Sequence, residues 1–307
     1  MISTAVRSET TESGPLVSAV IIFLNAEQFI AEAIESVLAQ TYTAIELLLV
    51  DDGSSDGSTE IARRYAAQSP DRIRLLEHPG HANRGMSASR NLGVEQSRGD
   101  CIAFLDADDV WLPMKTEQQI AIFREHPELG MVYGRTQIWY SWDAGQAAER
   151  DFFYGLGVVA DAIHPHPSLL GNLIENRHQS PTTCNAMISR RAFDQVGGFE
   201  PRFRSMYEDQ VFFSKLYLSF ATYVSESYWA RYRQHAGNTG NHYSQKTYFR
   251  DRAELIEFVY RYSRRPGFSP DERTQALIRR DRWRSRNPLL AVWLLRLRAR
   301  LNKFRGK

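Results

Sequence analysis

The sequence predicts an α/β fold: a Rossmann-like, mostly parallel sheet with helices on both faces, extended by further helices toward the C-terminus. Three observations carry that prediction. Short apolar runs alternate with stretches of helical periodicity through the first 110 residues. Polar, glycine-containing turns separate them, and beyond Lys246 the pattern becomes helical throughout. The bulk figures agree. A chain of 307 residues, 43% apolar and 24% charged, fits one large α/β domain or two small ones, and excludes wholesale disorder, collagen and a polytopic membrane protein.

Val17 to Phe23 and Ile45 to Val50 are apolar, β-branched runs of the length expected for strands buried on both faces. Between them Phe29, Ile30, Ala33, Ile34, Val37 and Leu38 recur at three- and four-residue spacing, which predicts a helix over Glu27 to Gln40 and so a βαβ unit. After the turn that begins at Asp51 come a helix over Thr59 to Ala67, a short strand over Ile73 to Leu76, a helix over Gly85 to Gln96 and a fourth strand over Cys101 to Leu105. In such sheets ligands sit at the carboxyl ends of the strands. Two carboxylate-rich turns lie there: Asp51-Asp52 after the second strand and Asp106-Ala107-Asp108-Asp109 after the fourth.

Three aspartates within four residues repel one another, and burying them without a cation or donors is costly. Oxygen ligands with no nearby cysteine select a hard ion, Mg²⁺ or Mn²⁺, which typically takes one or two carboxylates plus phosphate oxygens. The turn therefore suggests a diphosphate ligand. The alternative is a solvated acidic turn in which Asp109 caps a helix starting near Pro113. The Asp51-to-Asp56 stretch has its own alternative, a loop whose Asp56 or Ser58 caps the next helix.

The order of these motifs adds to each of them. Val17 to Glu27, Ser36 to Tyr42, Glu46 to Ser58 with its Asp51-Asp52-Gly-Ser-Ser-Asp56, Gly85 to Gly93 with Arg90-Asn91, and Gly99 to Asp109 together resemble family 2 glycosyltransferases of the GT-A fold. The resemblance continues through Gly197-Gly198-Phe199 and Glu208-Asp209 to Tyr232-Arg233-Gln-His235, and so covers about residues 16 to 240. It implies that Asp52 hydrogen-bonds the base of a nucleotide and that Arg84 and Asn91 help to position the donor. It implies further that Asp106 lies near the ribose and that Asp108 holds a metal bridging the diphosphate, with Asp106 and His235 as further metal-site candidates. Asp209 resembles the family's general base, which takes the proton from an acceptor hydroxyl in a single displacement with inversion. Arg231 and Arg233 suit phosphate, or alternatively a pairing with Glu226.

The pattern departs from the family in two places. Ile22-Phe23 stand where many relatives have Pro-Thr after the first strand. Arg282-Trp283 is preceded by Arg279 where processive members have Gln, and no run approaches the ~20 apolar residues that span a bilayer. A single-addition enzyme is expected.

From Gly134 to Thr183 the pattern is irregular and aromatic, including Trp139, Tyr140 and Trp142, and reads as an acceptor-side loop or as core. His164-Pro-His166-Pro lacks a third ligand at a recognisable spacing, which disfavours a metal there. Helices are expected over Tyr248 to Tyr262, over Asp271 to Arg284, and from Pro288 onward. The net charge of +2 hides a split, since residues 250–307 hold 17 Lys and Arg against 6 Asp and Glu. The last helix is basic and amphipathic, which fits an anionic membrane surface, with packing against the catalytic domain or a second subunit as the alternative. The acidic remainder and the lack of a recognition motif argue against a nucleic-acid partner for the basic tail.

The expected organisation is a disordered leader (1–15), a nucleotide-sugar-binding half (16–110), an acceptor-binding half (111–245) and a basic helical region (246–307). Two cysteines, no signal-peptide core and the basic tail suit a cytoplasmic protein, peripheral on the inner face of the plasma membrane. The function the resemblance implies is a metal-dependent inverting glycosyltransferase. It would use a nucleotide sugar, UDP-linked in preference to GDP- or dTDP-linked, and a saccharide or lipid-linked acceptor in cell-surface polysaccharide synthesis. The rival is a non-catalytic sugar-nucleotide-binding or scaffold protein.

Overall fold

The computed structural model describes residues 14–145, 148–238 and 244–287. The first βα units run as β1 (Val17–Phe23), α1 (Ile30–Leu38), β2 (Ile45–Asp51), α2 (Ser58–Gln68), β3 (Ile73–Glu77), α3 (Met86–Glu95) and β4 (Cys101–Asp106). Each agrees in kind with the sequence expectation and lies within three residues of it at either end. The second part of the chain adds β5 (Val110–Trp111), α4 (Lys115–Glu125), β6 (Met131–Trp139), β7 (Phe152–Phe153), β8 (Ala162–His164), α5 (Leu170–Glu175), β9 (Met187–Ser189), α6 (Arg190–Val196), α7 (Glu208–Ser219), β10 (Thr222–Arg233), α8 (Gln245–Tyr262) and α9 (Glu272–Arg286).

Among the described residues these strands form one ten-stranded sheet in the order β3-β2-β1-β4-β9-β6-β10-β5, with β7 on β6 and β8 on β10. The first four are parallel, β6 and β10 are parallel to each other, and β9 is inserted antiparallel between β4 and β6. The sheet is therefore mixed and continuous across residue 110. Alternate residues of β1 explain its unbroken apolar run. Val17, Ala19, Ile21 and Phe23 face α1 and α4, whereas Val20 and Ile22 face the core shared with α3 and the C-terminal helices. Gly93 lets α3 close on the sheet, because a Cβ there would meet Val20 Cγ1 at 2.4 Å.

Chain order reverses between β1 and β4, so the carboxyl ends of β2, β1 and β4 open on one crevice, the usual ligand position in such sheets. β10 brings the residues after Arg233 to the same crevice through its pairing with β6 and β5.

Several expectations are corrected. Gly134 to Thr183 is irregular only after β6 ends at Trp139, and β10 had no counterpart in the sequence reading. Two register shifts and a polar Ser-Glu-Ser centre interrupt β10, which conceals its period. Asp109 does not cap α4, which begins six residues beyond it with Met114 at the cap position and no side-chain cap bond. The end of the leader is tied down, since Pro15 accepts the Tyr42 hydroxyl at 2.7 Å; residues 1–13 and the helix expected over 288–307 lie outside the described residues. No described helix is long and apolar enough to cross a membrane.

Candidate active site

The two aspartates that end β2 have different tasks. Asp51 is fully buried and closes its own loop, accepting the N–H groups of Gly53 (3.1 Å) and Ser54 (2.8 Å) and the hydroxyl of Thr59. Asp52 lines the crevice. Its carboxylate accepts the Arg84 N–H at 2.7 Å, the Gly85 N–H at 2.9 Å and the Ser89 hydroxyl at 3.0 Å, so it is fixed in direction before any ligand arrives. The neighbouring loop after β1 is stitched to the same turn: Asn25 accepts Ser55 N–H (2.7 Å), Asp56 accepts Glu27 N–H (3.0 Å) and Ser58 accepts Ala26 N–H (2.8 Å). Asp56 also accepts the Ser58 N–H at 3.0 Å, but the cap position of α2 is Gly57 and no side-chain cap bond is made there, so neither Asp56 nor Ser58 is the helix cap expected from sequence.

Arg84 and Asn91 are placed otherwise than donor contacts would require. Arg84 contributes its backbone N–H to Asp52, while its side chain is exposed and absent from the cleft lining. Asn91 spends both ends of its amide on Phe199, donating to the carbonyl (2.9 Å) and accepting the N–H (2.8 Å), which fastens α3 to the loop after α6.

Arg90, between them, is the residue that the sequence reading passed over. Its guanidinium is buried, donates to Asp106 at 2.7 Å and to Glu208 at 3.2 Å, and lies over the Phe199 ring at 5.3 Å. The two carboxylates hold it firmly in the charged form despite its burial. The other Asp106 oxygen accepts the Thr183 hydroxyl at 2.9 Å. Each oxygen of Asp106 thus accepts one protein donor, which fixes the direction of the carboxylate and leaves its remaining lone pairs turned to the cleft.

Asp108 and His235 meet at the crevice mouth, with His235 Nε2 3.0 Å from an Asp108 oxygen. The Nδ1 atom accepts the Gly237 N–H at 3.2 Å, so Nε2 is the nitrogen turned to Asp108, and it would exchange its proton for a cation bound between them. Among the described residues no three His, Cys, Asp or Glu side chains cluster to hold a cation unaided. One carboxylate and one imidazole facing a cleft still suit Mg²⁺ or Mn²⁺, provided that ligand oxygens and water complete the shell.

Asp109 turns inward. Its Oδ1 accepts the Arg233 N–H at 2.9 Å, and burial, aided by the charges of Asp108 and Asp106, raises its pKa well above the usual carboxylate range. Arg233 does not face the crevice as a phosphate ligand would. It donates to the Asp108 carbonyl (2.7 Å) and to Glu32 (2.5 Å) within a ring of Phe29, Trp139 and Trp142. Arg231 lies over Trp139, and Glu226 pairs with Arg135 instead.

Across the crevice, Tyr207 takes a positive φ of 67° and α7 then starts with Glu208-Asp209. Burial first, and the adjacent Glu208 charge second, push the Asp209 pKa up to about 7, while the Arg90 charge opposes them. The cleft has a volume of about 950 Å³ and brings Asp52, Arg90, Asp106, Asp108, Glu208, Asp209 and His235 onto one surface. It offers an acidic floor that accepts an anion only with a counter-cation, and a partly protonated carboxyl positioned to take or give a proton.

The model of the family described as Glycosyl transferase family 2 matches residues 18–197. Among curated proteins, the putative glycosyltransferase EpsE of Bacillus subtilis (strain 168) is 42% identical over 114 residues, 37% of this chain and 40% of that protein. The match thus spans less than half the length of that relative. Among solved structures, S. aureus TarS 1-349 in complex with UDP-GlcNAc is similar with a TM-score of 0.65 and 19% identity, covering 85% of this chain and 70% of that one. The mannosyltransferase PcManGT from Pyrobaculum calidifontis in complex with GDP-Man and Mn²⁺ has a TM-score of 0.58 and 17% identity, covering 88% and 70%. At these identities the likeness is one of fold.

Proposed function

The chain belongs to glycosyl transferase family 2, and from that premise we propose that it transfers a sugar from a nucleotide sugar, UDP-linked in preference, to a hydroxyl of a saccharide or lipid-linked saccharide, with inversion. The observation that carries this reading is the convergence of Asp52, Asp106 and Asp108 on one wall of the cleft with Asp209 on the other. Asp52, held by three donors, suits the N–H edge of a pyrimidine base. Asp106, immobilised by Arg90 and Thr183, suits a ribose hydroxyl at its remaining lone pairs. Asp108 and His235 would hold Mg²⁺ or Mn²⁺. Bound there, the ion would neutralise charge that builds on the departing diphosphate.

Asp209 would take the acceptor's proton as its oxygen attacks the anomeric carbon, and a base with a pKa near 7 is matched to that task at neutral pH. One displacement with inversion needs no nucleophile from the protein. The likeness to EpsE, a putative glycosyltransferase, and to structures that hold UDP-GlcNAc or GDP-Man with Mn²⁺ supports the substrate class. The basic stretch 288–307 supports a site at an anionic membrane face, and its deletion should then move the protein from the membrane fraction to the soluble one.

Thermal stabilisation by UDP, GDP and dTDP, with Mn²⁺ and with EDTA, tests the donor side. UDP should stabilise most and only with the metal, and Asp108→Ala should remove the metal-dependent part. Equal loss in EDTA would argue against a cation at Asp108.

A further inference from the structure

Helix α8 lies outside the segment that matches the family, yet one of its faces underlies the loop that delivers Asp209. Tyr248, Asp251, Arg252 and Phe258 recur along it at helical spacing. Tyr248 packs edge-on against Tyr207 (5.9 Å), the Arg252 guanidinium lies over the same Tyr207 ring (5.8 Å), and Phe258 meets Phe203 (5.9 Å). In the midst of these contacts is a carboxylate. Asp251 is 3% exposed; one oxygen accepts the Ser205 hydroxyl and the Met206 N–H (3.3 Å), and the other accepts from Arg250 at 2.8 Å.

If α8 only covered apolar surface, a buried carboxylate on that face would be a desolvation cost without a return. Its bonds fall on the two residues before Tyr207, whose left-handed backbone is a conformation that persists only where neighbours enforce it. Arg204 to Asp209 all line the cleft, so a shift of this loop moves the base relative to the donor.

We propose that Asp251 is a positioning residue: by fixing Ser205 and Met206 it sets where Asp209 stands in the cleft, and it thereby makes the C-terminal helices part of the transfer machinery. This rests on Asp209 being the base. It goes beyond that reading in assigning a role to a residue 42 positions further along the chain, on another element.

The test compares full-length wild type, Asp251→Ala and Asp251→Asn by three measurements: hydrogen exchange over residues 203–209, UDP affinity with Mn²⁺, and UDP release from UDP-N-acetylglucosamine. In Asp251→Ala, exchange in this segment should rise about tenfold or more while the loop at 51–58 stays protected. UDP affinity and donor KM should stay near wild type, and kcat should fall on the order of 10²-fold, the usual effect of a base displaced by about 1 Å. Asp251→Asn keeps a carbonyl oxygen for both loop donors and should recover most of kcat. An Asp251→Ala protein with wild-type exchange and kcat would overturn the proposal, as would Asp251→Asn equal to Asp251→Ala. A wild type that binds no UDP would instead sink the donor reading on which the proposal stands.

Discussion

The two walls of the cleft are assembled in different ways. On the donor wall the turns after β1 and β2 are joined by bonds between residues about 30 apart within a single βαβ unit, such as Asn25 with Ser55 and Glu27 with Asp56. On the opposite wall the fixing bonds span longer stretches of chain: Arg90 to Glu208 across 118 residues, Arg204 to Asn83 across 121, and Ser205 to Asp251 across 46. The first wall can form once two neighbouring strands pair. The second requires the whole sheet and the C-terminal helices, so substitutions far from the chemistry should reach it.

Arg90 joins the walls, and its loss should have the largest effect. Arg90→Met would leave the buried Glu208 and the partly exposed Asp106 without their counter-charge, which should lower stability by about 3–5 kcal/mol in denaturant unfolding. A loss below ~1 kcal/mol would mean that the bridge is not what holds the walls together. A smaller effect concerns pH. Asp209 must be ionised to accept a proton, so kcat/KM should rise with pH through about 7 and level off above it. Glu208→Gln removes the neighbouring charge that raises the Asp209 pKa, and so should move that rise to lower pH without altering UDP affinity. An unmoved profile would separate Glu208 from the base. The smallest effect belongs to the donor wall, where Asp56→Ala removes one member of a redundant local stitch. It should cost about 1–2 kcal/mol and leave the Asp209 profile unchanged. A change in that profile would erase the distinction between the walls.

The same distinction explains what could be read from sequence. The βαβ order was legible because strand period and turn chemistry are local signals, and the approach of Asp52, Asp106, Asp108 and His235 to one cleft was implied by the family resemblance. Arg90 was not distinguished from Arg84 and Asn91 beside it. Only the fold reveals that Arg90 points between two carboxylates, whereas the Arg84 side chain lies outside the cleft and Asn91 is turned to Phe199. Arg233 appeared a phosphate ligand by type, yet its partners come from α1 and the turn after β4. β10 escaped because its register shifts break the two-residue period, and Asp251 escaped because a lone acid in a helix carries no pattern of its own.

The most direct test of the account is Asp209→Asn, measured for UDP binding with Mn²⁺ and for transfer in the same preparation. The account predicts UDP affinity equal to wild type and transfer reduced by about 10²- to 10⁴-fold. Transfer retained at the wild-type rate, or UDP binding lost together with it, would contradict a cleft in which one wall grips the donor and the other removes the proton.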